Sequence, residues 1–212
     1  MLMASFFQLL VKPLRSTSIM PVTPAGITSA GPISATLTVP EGTEVATVAA
    51  GCFWGVEHIY RQYFGNGKGL LDARVGYSGG SKENPTYKEV CGADTGHAES
   101  LQILFDPKIV SYDTLIDFFF RMHDPTTMNR QGPDRGPQYR SAIFYHSDEQ
   151  KKTAEEVKQR LQKNFYTEKI VTELIPIGVF WDAEQYHQLY LDKNPYGYEC
   201  PTHFLRTTPM SK

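Results

Sequence analysis

Residues 45–55 are VATVAAGCFWG, an apolar run followed by a cysteine and two aromatic residues between two glycines. The run at 45–50 predicts a short buried strand, and the apolar residues after Gly55 recur with the spacing of one helix face. Cys52 is therefore predicted to lie where a strand turns into a helix. Free amide N–H groups and the helix dipole lower the pKa of a thiol there, which favours the reactive thiolate. The alternative is a buried structural cysteine.

The bulk composition is that of an ordinary globular domain and excludes several classes of protein. A net charge of −2 over 212 residues gives no basic field for nucleic acid or an anionic membrane. No apolar run has the length of a membrane span. The three cysteines, Cys52, Cys91 and Cys200, are too sparse for a secreted disulfide scaffold. No two of them form a close pair of zinc ligands, so we expect thiol chemistry in a reducing compartment and no metal.

The first part of the chain differs from the rest in composition. Residues 1–40 contain no acidic residue, two basic residues (Lys12 and Arg15) and many small or hydroxyl side chains. Residues 1–43 are predicted to be a flexible extension that resembles a mitochondrial transit peptide, with a disordered tail as the alternative. We therefore expect a cytoplasmic protein, a mitochondrial protein or both. Residues 44–212 are predicted to be one domain, which ends in an irregular tail at 194–212 that carries Cys200; the resemblance described below implies that this domain is catalytic and that Cys200 is its resolving cysteine.

The pattern of elements after residue 44 predicts an α+β fold. Strands are predicted at 45–50, 73–77, 97–105, 139–145 and 169–175. Helices are predicted after Cys52, after Ser111, after Ser147 in a capping box with Gln150, and from Asp182 to about residue 191. Strands and helices do not alternate strictly, which favours helices packed on an antiparallel or mixed sheet. We expect a two-layer α/β sandwich with a ferredoxin-like core and a long irregular C-terminal tail.

Glu99 is a second candidate for chemistry. In the predicted strand it has the same parity as Leu101 and Ile103, so it is placed on the apolar face. Burial disfavours the charged form and raises a carboxyl pKa, so Glu99 could donate a proton near neutral pH. The alternative is a frayed strand end with Glu99 in solvent.

Further candidates follow from their positions. Tyr87, Asp134 and Tyr139 lie in or beside long polar loops, which are often functional. Cys200 lies in a tail rich in glycine and proline, where a mobile thiol could condense with a sulfenic acid formed elsewhere. The alternative for Cys200 is an exposed thiol with no partner. Cys91 is predicted to be a small buried residue.

Seven motifs, in order along the chain, together resemble the A-type peptide-methionine sulfoxide reductases. The resemblance covers roughly residues 45–206, and its motifs are GCFWG at 51–55, GYSGG at 76–80, NPTY at 84–87, GHAE at 96–99, HDP at 123–125, QYRS at 138–141 and NPYGY at 194–198.

The resemblance implies reduction of the S epimer of methionine sulfoxide, free or in proteins. Cys52 attacks the sulfoxide sulfur, Glu99 donates a proton to the departing oxygen, and Cys200 converts the resulting sulfenic acid into a disulfide that thioredoxin reduces. The residues implied to bind the substrate are Phe53, Trp54, Tyr87, Asp134 and Tyr139. No metal or organic cofactor is implied, and we expect a monomer that binds neither nucleic acid nor membrane.

Two other classes of function compete with this interpretation. One is an acyl-transfer or hydrolase site, which would pair Cys52 with a histidine base. The other is a peptide-binding module that uses Phe53 and Trp54 without turnover. Dependence of turnover on Cys200 and thioredoxin would distinguish the reductase from both.

Overall fold

The computed structural model describes residues 31–209, which form a six-stranded sheet with helices packed against it. The strands are β1 (Glu44–Ala50), β2 (Leu70–Ser78), β3 (Ala98–Phe105), β4 (Arg130–Gln131), β5 (Asp134–Arg135), β6 (Ser141–Tyr145), β7 (Glu173–Pro176) and β8 (Trp181–Asp182). The helices are α1 (Phe53–Phe64), α2 (Tyr87–Cys91), α3 (Tyr112–Met122), α4 (Asp148–Asn164) and α5 (Tyr190–Lys193), with a 3₁₀ turn at Pro137–Tyr139.

The strand order in the sheet is β7-β6-β1-β3-β2-β8, and β4 and β5 form a separate hairpin. The central strands β6, β1, β3 and β2 pair antiparallel, whereas β7 runs parallel to β6. Taken with α1 and α3, these central strands give the β-α-β-β-α-β arrangement of a ferredoxin-like fold. The predicted α+β fold is confirmed.

The main core lies between the sheet and helices α1, α3 and α4. It is rich in aromatic side chains, and Tyr60, Phe105, Phe119 and Phe120 are all fully buried. Burial of one such side chain stabilises the fold by roughly 1.5–3 kcal/mol, so this layer holds β1 and α1 firmly together. The junction between them, at Cys52, therefore has a rigid support.

The helix caps predicted at Ser111 and Ser147 form, but the capping box predicted at Ser147 forms only in part. Ser111 accepts a hydrogen bond from the N–H of Thr114 at 3.2 Å, as a helix cap should. Ser147 likewise accepts the N–H of Gln150 at 3.2 Å. The predicted capping box is only half formed, because the Gln150 carboxamide binds the N–H of His146 and the carbonyl of Val45 instead.

The described part of the N-terminal segment, residues 31–43, packs against the sheet. Ser34 is not part of a strand, but its N–H donates a hydrogen bond to the side chain of Gln102 at 2.7 Å. Leu37 is buried against Val45 and Leu104. The rest of the predicted extension, residues 1–30, and its targeting role lie outside the described residues. No helix within residues 31–209 is both long enough and apolar enough to cross a membrane.

The predicted helix after Asp182 is wrong. Asp182 ends the edge strand β8, and its carboxylate accepts hydrogen bonds from the Ser34 hydroxyl at 2.5 Å and the Ala35 N–H at 3.0 Å. Residues 185–189 form turns, and Leu189 has a left-handed backbone (φ 55°) before the short helix α5. The Asp182 side chain cannot cap a helix because it is hydrogen-bonded to residues 34 and 35, and local sequence patterns do not reveal a contact over such a distance in the chain.

Candidate active site

Cys52 is the N-cap residue of α1, at the junction predicted from the sequence. The N–H groups of Trp54 and Gly55 act on its sulfur and lower the thiol pKa. Burial of the side chain, which is 6% exposed, and the nearby carboxyl of Glu99 act in the opposite direction and outweigh them. The pKa of Cys52 is therefore raised, and the prediction of a thiolate at rest is wrong. The resting cysteine is a protonated thiol.

Glu99 lies on β3 opposite Tyr77 of β2 and is 1% exposed. Its Oε2 accepts the backbone N–H of Phe53 at 3.0 Å, so the carboxyl reaches the first residue of α1. Burial raises the pKa of Glu99 to about 8, because the Phe53 hydrogen bond compensates only part of the lost hydration. The predicted burial of Glu99 is confirmed, the pKa shift has the predicted direction, and the frayed-strand alternative is wrong.

Tyr87 and Tyr139 approach this pair from two different loops. Tyr87 is the first residue of α2, and Tyr139 ends the 3₁₀ turn; both are half-buried. Burial and then the charge of Glu99 raise the pKa of both phenols, and Cys52 contributes at Tyr139. Both hydroxyls therefore stay protonated at neutral pH and lie within electrostatic range of the Glu99 carboxyl.

The aromatic residues Phe53 and Trp54 have different environments. Phe53 is 1% exposed, and its ring packs on Tyr77 and on His187 at centroid distances of 5.9 and 5.1 Å. Trp54 is half-buried and stacks on Tyr190 at 3.7 Å, and its indole N–H donates to His187 Nδ1 at 3.0 Å. Phe53 therefore belongs to the core under the site, whereas Trp54 is held in place with part of its surface free.

Two residues for which the sequence predicts no role help to build the site. His187 is buried between the rings of Phe53 and Tyr87 and accepts the Trp54 hydrogen bond. The Glu184 carboxylate accepts the Tyr87 N–H at 2.9 Å and the Tyr77 hydroxyl at 2.8 Å. Neither residue lies on a periodic element, so no pattern in the sequence marked them.

The tail brings Cys200 into the same cluster. Its Sγ lies 3.6 Å from the Gln131 carbonyl and 3.3 Å from the Thr202 hydroxyl, and the residue is 1% exposed. Asp134 accepts the Tyr198 hydroxyl at 2.9 Å, and its charge contributes to raising the pKa of both Cys52 and Cys200, whose main cause is burial. Cys200 is thus buried in this structure, which contradicts the alternative of an exposed thiol with no partner.

The prediction that Cys91 is buried is wrong, because the residue is exposed. It ends α2, one turn after Tyr87, and the Tyr87 hydroxyl interacts with its sulfur. Because α2 is a short helix at the surface, its last turn is open to solvent. The apolar neighbour Val90 is buried, but Cys91, one residue later, is not.

The cluster suits sulfur chemistry better than acyl transfer. The Glu99 carboxyl interacts electrostatically with the Cys52 thiol and with both phenols. Asp134 interacts with Cys52 and with the second thiol, Cys200. His203, the histidine that packs on Gly51 and Gly55, has its pKa lowered to about 4 by burial and is a weak base. Among residues 31–209, no group of three or more His, Cys, Asp or Glu side chains is arranged to hold a metal ion.

Comparisons with known proteins agree with this chemistry. The family model described as peptide methionine sulfoxide reductase matches residues 44–210. The chain is 55% identical to the probable peptide methionine sulfoxide reductase of Schizosaccharomyces pombe, over 77% of this chain and 96% of that protein. It is 51% identical to the peptide methionine sulfoxide reductase of Saccharomyces cerevisiae, over 79% and 92%.

Solved structures show the same fold. Reduced Mxr1 from Saccharomyces cerevisiae superimposes with a TM-score of 0.77 at 49% identity, covering 82% of this chain and 98% of that one. Mxr1 has also been solved in complex with Trx2, and that structure gives a TM-score of 0.58 at 34% identity, over 82% and 99%.

Proposed function

The chain belongs to the peptide methionine sulfoxide reductase family, and we propose that it reduces the S epimer of methionine sulfoxide, free or in oxidised proteins, to methionine. The observation that carries the proposal is the pairing of Cys52 with a buried carboxyl, Glu99, that is neutral at pH 7. A thiol nucleophile beside a proton donor is what removal of a sulfoxide oxygen requires.

In the first step, the Cys52 sulfur attacks the sulfoxide sulfur while Glu99 donates its proton to the departing oxygen. The protonated oxygen then moves to the Cys52 sulfur as the bond between the two sulfurs and the substrate S–O bond break, which releases methionine and leaves a sulfenic acid on Cys52. The Cys52 sulfur thereby loses two electrons and the substrate sulfur gains them. Glu99 is left as a carboxylate and can take up the thiol proton, which restores the acid. Because Cys52 is a thiol at rest, this acceptor removes the need for a preformed thiolate.

The oxygen and the methyl group of the substrate need separate partners. Tyr87 and Tyr139 present protonated hydroxyls beside Glu99 and would stabilise the developing charge on the oxygen. The half-buried face of Trp54 offers an apolar contact for the methyl group, with Phe53 supporting it from below. Asp134 lies in the loop at the other side of the cluster and would shape the entrance.

In the second step, the Cys200 thiol attacks the sulfenic sulfur. The S–O bond breaks, the S–S bond forms, and water leaves with the thiol proton. A dithiol must then reduce the disulfide, and the Mxr1–Trx2 structure supports thioredoxin as the donor. These steps need thiols and one carboxyl, so we propose a monomer that works without a metal or an organic cofactor.

A stereochemical turnover assay tests the proposal. A peptide containing both epimers of methionine sulfoxide is incubated with the protein, first with dithiothreitol and then with a thioredoxin system. We expect loss of the S epimer alone with both reductants. Loss of the R epimer would refute the stereochemical assignment, and no loss of either epimer would refute the reductase.

Two cysteine variants test the assigned steps. Cys52→Ser should abolish reduction, and appreciable residual activity would exclude Cys52 as the nucleophile. Cys200→Ser should still release one methionine per chain but lose cycling with thioredoxin. Cys91→Ser, which removes the exposed thiol, is the matched control and should behave as the wild type.

A further inference from the structure

The tail changes character at Cys200. Residues 192–199 are mostly exposed, and Tyr196 is entirely so. From Cys200 onward the chain turns back into the protein: the His203 N–H donates to the Cys200 carbonyl at 3.1 Å, with Pro201 at the second position of the turn. Cys200 therefore stands at the boundary between a loosely held segment and a firmly held one.

The segment after the turn is tied to the end of α3. The N–H of Phe204 donates to the Met122 carbonyl at 3.1 Å, and the N–H of Arg206 donates to the Arg121 carbonyl at 3.0 Å. The Arg206 guanidinium adds hydrogen bonds to the carbonyls of Arg121 and Thr202, both at 3.2 Å. These contacts hold residues 203–206 against the domain.

His203 ties the same segment to the loop that carries Cys52. Its ring is 7% exposed, and its Nε2 donates to the Ala50 carbonyl at 2.7 Å. The ring occupies the space next to both glycines that flank Cys52. A Cβ on Gly55 would lie 2.3 Å from His203 Nδ1, and a Cβ on Gly51 would lie 3.4 Å from Nε2. Gly55 thus makes room for this imidazole, whereas the closest contact of a Cβ on Gly51 would be with the Gln131 side chain, at 2.6 Å.

We propose that His203 is a positioning residue for the resolving step: it anchors the turn that carries Cys200 beside the nucleophile loop. The inference rests on the proposed function, since it needs Cys200 to attack a sulfenic acid on Cys52. With His203 fixed, Cys200 is three residues from an anchored point, and three residues span at most about 11 Å. The anchor keeps the effective concentration of Cys200 at Cys52 high while residues 194–199 rearrange.

The anchor predicts that the two steps of the cycle separate in a His203→Ala variant. Release of the first methionine, which needs Cys52 and Glu99, should stay within about two-fold of wild type. Formation of the Cys52–Cys200 disulfide should slow by about ten-fold or more, because the tail is then held less closely. The sulfenic acid should accumulate, and dimedone labelling with mass spectrometry measures it.

Companion variants separate positioning from general stability. His203→Gln keeps an N–H that can reach the Ala50 carbonyl and should restore much of the disulfide rate. His203→Asn is too short to reach it and serves if the alanine variant does not fold. The matched control is His146→Ala, which removes a half-buried histidine that bonds Thr47 rather than a residue of the nucleophile loop. It should leave both steps at the wild-type rate.

Measurements in glutathione buffers make the anchor testable without any sulfoxide. The equilibrium between the dithiol and the Cys52–Cys200 disulfide should shift about ten-fold towards the dithiol in His203→Ala, whatever the protein does with sulfoxides. Equal slowing of methionine release and disulfide formation would overturn the proposal, as would an unchanged glutathione equilibrium. Failure of the wild type to release methionine, with a shifted equilibrium, would refute the proposed function and leave the anchor standing.

Discussion

Replacing Glu99 by glutamine should make the protein more stable and nearly inactive. The folded state holds the Glu99 pKa at about 8, compared with an ordinary value of 4.5. Between these two values the unfolded chain is deprotonated at this position and the folded chain is not, so wild-type stability falls as the pH rises. At 1.36 kcal/mol per pKa unit, the loss is about 3 kcal/mol by pH 7 and about 5 kcal/mol above pH 8.

Glu99→Gln removes this loss, because an amide does not ionise and its oxygen can still accept the Phe53 N–H. The variant should exceed the wild type in unfolding free energy by about 1 kcal/mol at pH 5 and about 5 kcal/mol at pH 9. Its sulfoxide reduction should fall by roughly 10²–10⁴, since the proton donor is lost. Glu156→Gln, on the exposed face of α4, is the control and should change neither quantity.

Urea unfolding followed by tryptophan fluorescence measures the stability at each pH, and methionine release measures the rate. A stability difference between variant and wild type that does not vary with pH would refute the buried, neutral carboxyl. A wild-type rate in the variant would refute its role as the acid.

Three further predictions address the same site. Wild-type activity should decline as the pH rises through about 8, where Glu99 loses its proton; a pH–rate profile that still rises at pH 9 would contradict this. Gly55→Ala should lower the unfolding free energy by about 1–3 kcal/mol, because its Cβ would lie 2.3 Å from His203 Nδ1. Gly178→Ala, with open space around it, should be nearly neutral, and equal melting temperatures for the two would refute the clash. Trp54→Phe should cost about 1 kcal/mol by deleting the indole hydrogen bond, and thermal unfolding checks it.

Local sequence patterns predicted correctly those features that depend on a single helix or strand. The apolar run and helix periodicity placed Cys52 at the start of α1, and strand parity placed Glu99 on a buried face. The caps at Ser111 and Ser147 form as predicted because a cap involves only the next three residues. The motifs added the identity of the family, since each motif is a short contiguous stretch.

The tertiary structure decided what depends on partners far apart in the chain. His203 meets the nucleophile loop 153 residues away through Ala50, and His187 meets Trp54 across 133 residues. The direction of the Cys52 pKa shift also depends on residues that are far apart in the chain. The helix start lowers the thiol pKa locally, but burial and Glu99, both products of packing, raise it further.

The sequence by itself thus determined the fold class, the position of Cys52 at a helix start and the burial of Glu99, because periodicity and motifs record which residues enter the core. Only the tertiary structure decided the direction of the Cys52 pKa shift, the burial of Cys200, the exposure of Cys91 and the anchoring of the tail. The hydration and the hydrogen-bond partners of a buried group depend on all the residues that pack around it, and most of those residues come from distant parts of the chain.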